Sequence, residues 1–232
     1  MPSVSFVDVA SAAEQLSVSD DRVRKLIHSG RLPAERLGSR YIIEASVVAQ
    51  LARSSRSAGR PMGPERSWAA IAEISNDGLI DLPLRQWQRA RARSSVRQLA
   101  VSSLFGVLSG RASVCRYRAH PAAIGRLRDD GRLVRAGASA AQEHGMEIVA
   151  ADEVEAYVKP DDRDKVEVDY ALVPVSAHGN VLLREPMPWW PFPSDLQAVP
   201  PLVAALDLWD SDDARSRRAA SNWLRDRLRP PD

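Results

Sequence analysis

Val9, Ala12, Ala13 and Leu16 recur at i, i+3, i+4 and i+7, the spacing of one apolar helix face, and Asp8 stands where an N-cap belongs. A tight turn over Leu16 to Ser19 follows. Ser19 is placed to cap a second helix with Asp20 and Asp21 in its first turn, where the helix dipole favours acids. Val23, Leu26 and Ile27 give that helix an inner face. Arg22 and Lys25 lie three apart on another face, Arg24 and His28 four apart beside it, and Gly30 reads as its C-cap. Leu37 and Tyr41 to Ile43 predict two short strands around a Gly38-Ser39-Arg40 turn. A third helix over Ala45 to Ala52 completes the order helix, turn, helix, wing, helix.

Past Ala52 the periodicity stops. The Ser-, Gly-, Pro- and Arg-rich stretch to Pro64 reads as a flexible connection. Glu65 to Ile74 predicts a helix packing through Trp68, Ile71 and Ala72, broken at Asn76-Asp77-Gly78. Leu84 to Leu108 reads as mostly helical with an interruption near Ser94-Ser95, and Arg85, Arg89 and Arg93 form a stripe along it. Arg111 to Arg118 alternates as a strand, a helix opens at Pro121 and closes near Gly131, and Leu133-Val134 is a short strand.

In the last hundred residues Met146 to Val149 predicts a strand, and Asp152 to Val158 a short helix with Val154, Tyr157 and Val158 turned inward. Lys159 to Lys165 reads as a charged loop, Val166 to Val175 as a strand, and His178-Gly179-Asn180 as a hairpin turn before Val181 to Arg184. Four prolines between Pro186 and Pro193 exclude a helix and display Trp189, Trp190 and Phe192. Two helices close the chain. One ends at Asp210, and the other is capped by Ser211, with Ala219, Ala220, Trp223, Leu224 and Leu228 on one face.

These elements make the expected fold class α+β, with a winged helix-turn-helix at 1–53, a linker at 54–64, a basic helical or second winged module at 65–135 and a mixed α/β domain at 136–232. A 44% hydrophobic fraction with 27% charge excludes a disordered chain, and no run of about 18 apolar residues exists to span a membrane. The N-terminus lacks the layout of a signal peptide, and the single Cys115 permits no internal disulfide, which together predict a cytoplasmic protein.

The net charge of +2 divides along the chain. Residues 1–84 hold 10 basic and 10 acidic side chains. Residues 85–135 hold 12 arginines against Asp129 and Asp130, and residues 136–232 hold 10 basic against 18 acidic. Only three basic residues are lysine, a bias that weakens any single arginine as a functional sign. The basic middle reads either as a second winged helix with Arg116, Arg118, Arg126 and Arg128 on phosphate or as a solvated or intersubunit surface.

The stretch AAEQLSVSDDRVRKLIHSGRLPAERLGSRYIIEASVVAQL resembles the excisionase and MerR-type DNA-binding domain. It has a small-residue helix, a serine-capped recognition helix ending in Ser-Gly-x-Leu-Pro, and a Gly-x-Arg-aromatic wing. The resemblance implies a second helix in the major groove and a wing on the backbone or minor groove. Ser19, Arg22, Arg24 and Lys25 are then the recognition-helix residues, and Ser39, Arg40 and Tyr41 the wing residues. Arginine suits guanine, while serine, lysine and tyrosine suit phosphate. The fragments GASAAQEHG, EAYV, VDYALVP, GNVLLRE and VPPLVAALDLWDSDDARSRRAASNWLRDRL resemble, in order, the C-terminal part of actinobacterial AbiE-type antitoxins. The matching positions are Asn180 to Arg184, Asp207 to Leu208 and Asp213 to Arg215. That resemblance implies an autorepressor of its own operator paired with a nucleotidyltransferase-type toxin.

No enzyme, metal or cofactor site is expected. The four histidines are scattered singly, and no P-loop, G-x-G-x-x-G or G-x-S-x-G occurs. Trp189, Trp190 and Phe192 read either as a partner interface or as the domain's own core. The leading expectation is a DNA-binding antitoxin, and a homodimer is expected because one small winged helix reads few base pairs. An excisionase-like DNA-architectural factor, a protein-interaction module and an unrecognised enzyme are the alternatives.

Overall fold

The computed structural model describes residues 5–16, 18–28, 32–38, 40–56, 62–75, 77–97, 101–149, 152–176, 179–211 and 213–227. The chain divides into two units, Met1–Arg60 and Pro61–Asp232.

In the first unit β1 (Phe6–Val7) precedes α1 (Val9–Leu16) and α2 (Asp20–His28), then β2 (Glu35–Leu37), β3 (Arg40–Glu44) and α3 (Ala45–Arg56). The expected caps form. The Asp8 carboxylate accepts the Ser11 N–H at 2.8 Å, and the Ser19 hydroxyl accepts the Arg22 N–H at 3.3 Å. Val9, Ala12, Ala13 and Leu16 of α1 are buried with Val23, Leu26, Leu32, Ile43 and Val48 in one core. β3 pairs antiparallel with both β1 and β2, and Gly38 takes φ 64° at the wing turn, the left-handed conformation that glycine adopts without strain. α3 runs to Arg56, past the expected end at Ala52, because neither glycine nor proline stands between Ala45 and Arg56. Gly30 and Leu228, read as a C-cap and a packing residue, lie outside the described residues.

The second unit opens with α4 (Pro64–Ile74), α5 (Gln86–Arg97) and α6 (Val101–Leu108). It continues through β4 (Ala112–Arg118), α7 (Ile124–Arg128), β5 (Leu133–Arg135), α8 (Gly137–Ala141) and β6 (Val154–Val158). α9 (Pro160–Asp169), β7 (Val173–Pro174), β8 (Val181–Pro186), α10 (Pro201–Trp209) and α11 (Ala214–Arg227) complete it. One five-stranded sheet has the order β5-β6-β8-β4-β7, with β6 and β8 parallel and the other pairs antiparallel. Its strands come from both sides of the expected boundary at 135/136, so the basic middle and the acidic tail share one fold. No second wing forms: β4 and β5 are separated in the sheet by β8 and β6.

The sheet carries a core on each face. Tyr117, Leu133, Val154, Ala156, Val158, Val181 and Leu183 pack with Ile124, Leu127 and Val166 on one side. Trp68, Leu108, Val134, Tyr157, Phe192, Val203, Leu206 and Leu224 pack on the other. This two-sided burial explains the error over Asp152 to Val158. All five residues of β6 are buried, and a short apolar run has no periodicity to separate strand from helix.

Lys159 to Lys165 and Val166 to Asp169, read as loop and strand, form α9 instead. Pro160 occupies the first turn with Asp161 and Asp162, a helix start outweighed in the sequence by the alternation of Val166, Val168 and Tyr170. α5 continues through Ser94 and Ser95. Met146 and Ile148 are buried, but their segment joins no strand. Asp213, not Ser211, caps α11, accepting the Ser216 N–H at 2.8 Å.

Candidate nucleic-acid interface

Capping at Ser19 and burial of Val23 and Leu26 fix which side of α2 faces out. Arg22, Arg24 and Lys25 are all exposed on that outer side. Two of the three cations are held by acids one turn earlier: Lys25 Nζ lies 2.8 Å from Asp21, and Arg24 Nη2 lies 3.9 Å from Asp20. The Lys25 ammonium holds the Asp21 carboxyl below its ordinary range through a hydrogen bond and its charge. The acids read from sequence as dipole partners are thus also ion-pair partners of Arg24 and Lys25. Arg22 makes no ion pair among the described residues, so its guanidinium is presented outright.

In the wing, Arg40 is exposed at the start of β3, and Tyr41 is half-buried against the unit's core. Ser39 lies outside the described residues. Arg36 Nε donates to the Gly38 carbonyl at 3.2 Å across the turn, and Leu37 is 70% exposed beside it. Leu37 is read from sequence only as a strand position and Arg36 is given no role, although both flank the Gly-x-Arg turn that marks the wing. The Asp8 carboxyl sits below its ordinary range, chiefly through its hydrogen bonds from Ser11, with the Arg40 charge adding to the effect.

The four arginines singled out in the basic middle lie on two elements, β4 and α7. Arg116 and Arg118 are on β4, the first half-buried and the second exposed. Arg126, on α7, stacks over the Tyr170 ring at 5.7 Å, and Arg128 donates to the Glu153 carbonyl at 3.2 Å. In the stripe along α5, Arg89 pairs with Asp81 at 2.6 Å and Arg93 with Glu73 at 2.9 Å.

The aromatic trio after Pro186 faces inward. Phe192 is 2% exposed and meets Trp68, Tyr157 and Trp190 edge-on at 5.6, 5.1 and 5.2 Å between centroids. Trp189 and Trp190 are half-buried against the same core. The interface reading of these residues is therefore replaced by a core one: a proline-rich segment presents rings equally well to its own domain.

Of the antitoxin-like positions, Val181 to Arg184, Asp207 and Leu208 are buried, whereas Asp213 to Arg215 are exposed. Asn180 binds both backbone groups of Ala119, at 2.8 and 3.0 Å, and ties the start of β8 to the end of β4. Arg184 and Arg111 share a closed cluster with Glu155, Tyr157, Asp207 and Asp210. Arg111 Nη2 bonds Asp207 and reaches Asp210 at 2.8 Å, its Nε reaches Tyr157 Oη at 3.2 Å, and Tyr157 donates to Asp207 at 3.0 Å. Arg184 lies 3.6 Å from Glu155 and 3.5 Å from Asp207. Asp207 thus serves this buried cluster. Arg215 is exposed and reaches the Glu147 carbonyl at 3.5 Å. Asp162 and Asp164 are paired with Lys165 and Arg163. Among the described residues no group of three or more His, Cys, Asp or Glu is arranged to hold a metal ion, and no helix is long and apolar enough to cross a membrane.

A family model described as a helix-turn-helix domain matches residues 6–56, the span from β1 to the end of α3. No curated protein and no solved structure matches the chain. The N-terminal unit contains a helix-turn-helix domain over residues 6–56.

Proposed function

We propose that the chain is a non-catalytic, DNA-binding transcriptional autorepressor that acts as the antitoxin of a toxin–antitoxin module with a nucleotidyltransferase-type toxin. The observation that carries the DNA-binding half is the outer side of α2. It offers Arg22, Arg24 and Lys25 to solvent from a capped helix inside a helix-turn-helix domain. In this reading α2 enters the major groove, and Arg22 and Arg24 read base edges. Ser19 and Lys25 set register on phosphate, and Ser39, Arg40 and Tyr41 follow the groove wall. Arg116, Arg118, Arg126 and Arg128 add phosphate contacts, and a homodimer places two reading helices on a palindromic operator in the cytoplasm.

The antitoxin half is supported by the ordered C-terminal resemblance. Gel shifts on the DNA upstream of the gene test the first half: Arg22→Ala with Lys25→Ala abolishes the shift while the melting temperature holds, and an unchanged shift removes α2 as the reader. Co-expression with the neighbouring gene tests the second half, where failure to restore growth removes the antitoxin role. The excisionase-like wing also suits a DNA-architectural factor. Strong operator bending beside an integrase gene would favour that alternative.

A further inference from the structure

The outward arc of α5 belongs to no site described so far. Gln86, Trp87, Ala90, Arg91, Arg93, Ser94 and Arg97 are all exposed, whereas Ala92 is buried and Gln88 and Val96 are half-buried on the opposite side. At 3.6 residues per turn those seven positions form one continuous face. Arg91 and Arg97 stand on either side of Trp87, Ala90 and Ser94, and neither makes an ion pair among the described residues. Arg93 adds a third cation, paired with Glu73 but still 58% exposed. Trp87 is 57% exposed, an unusual setting for the largest side chain.

We propose that this face grips the sugar-phosphate backbone of duplex DNA. The inference rests on the DNA-binding reading above and adds a second, sequence-independent contact to it. Charge complementarity selects the partner. The face is rich in arginine and, apart from Trp87, offers no large apolar side chain, so it lacks the desolvated centre that a protein interface needs. Ala90 and Ser94 keep the middle low enough for a phosphate strand to approach. The two arginines clasp that strand, and the indole covers the sugar edge.

The test uses the full chain, a random-sequence duplex and a salt titration followed by fluorescence anisotropy. Arg91→Gln with Arg97→Gln is expected to flatten the plot of log affinity against log salt by about 2, since each lost phosphate contact removes about 0.9. Arg91→Lys with Arg97→Lys is expected to keep the wild-type slope, and Trp87→Ala to weaken binding without changing the slope. These residues are exposed, so melting temperatures should stay within a degree or so of wild type. A wild-type slope in the glutamine variant overturns the proposal while leaving the recognition helix standing. Loss of binding to a polyglutamate polymer with duplex binding intact overturns it in favour of an acidic protein partner. A wild-type chain that binds no duplex at all overturns both this inference and the DNA-binding reading.

Discussion

Arg184 on β8 and Asp207 on α10 meet inside the protein: Nη2 of Arg184 donates to the Asp207 backbone carbonyl at 3.3 Å, and its Nε lies 3.5 Å from the Asp207 carboxylate. Both side chains are almost wholly buried. The pair pins the helix to the central strand, and Arg111 pins the same carboxylate to the entry of β4.

Removing Asp207 strips both guanidiniums of the carboxylate they share most closely and leaves Arg111 on Asp210 and Arg184 beside Glu155. Asp207→Ala is expected to cost about 3–5 kcal/mol in urea denaturation. Replacing Arg184 by Met should cost less in that background than in the wild-type chain, because its contact with the Asp207 carboxylate is already gone. Strict additivity of the two changes would show that the residues are not coupled.

The cluster sets two guanidiniums against three carboxyls, and burial raises the proton affinity of Glu155 and Asp210 despite the opposing pull of Arg184 and Arg111. Each binds its proton more tightly folded than unfolded, so each loses stability as pH rises from the ordinary carboxyl range through its folded value. Asp210→Asn, which mimics the protonated form, should therefore cost least at alkaline pH. Asp130 has the opposite sign. Hydrogen bonds from Arg132 hold its carboxyl low, so its contribution is present at neutral pH and is lost as pH falls below 3.8 through the folded value. Asp130→Asn should cost a constant amount above pH 5 and nothing in strong acid. Thermal melts across pH check both, and parallel penalties for the two variants would contradict the assignment.

The first unit was legible because each signal was local. Asp8, Ser19 and Gly38 act within three residues of themselves, and the apolar spacing of α1 needs no knowledge of the rest of the chain. The second unit was harder for a physical reason. β6 is buried on both faces, so its pattern is uninformative, and α9 buries only Val166. The inward turn of Phe192 depends on Trp68 and Tyr157, more than a hundred and some thirty residues away in the chain. The partnership of Arg111 with Asp207 spans 96 positions, and no local pattern announces it.

In the proposed DNA-bound state of α2, Lys25 exchanges Asp21 for a phosphate. Asp21→Asn removes both the competing carboxylate and a negative charge near the duplex. Operator affinity is expected to rise a few-fold, with the largest gain at low salt, where the pair and the DNA field are least screened. A fall in affinity without loss of helix content would show that Lys25 needs Asp21 to be positioned.

Gly137 supplies the sharpest test of how the buried cluster is framed. Its φ is 45°, and a Cβ built there would sit 1.6 Å from Oε2 of Glu155. That oxygen cannot swing aside cheaply, because it accepts the Ala138 N–H at 2.7 Å while its carboxyl faces Arg184. Gly137→Ala therefore combines a left-handed backbone penalty with displacement of a buried carboxyl, and about 2 kcal/mol or more should be lost. Glu155→Gln keeps the size of the acceptor and should not relieve the clash, whereas Glu155→Ala should relieve it. In a Gly137→Ala background, then, Glu155→Ala is expected to cost less than it does in the wild-type chain, read as a shift in urea midpoint. Equal costs in the two backgrounds would mean that the glycine is required for its backbone angle alone.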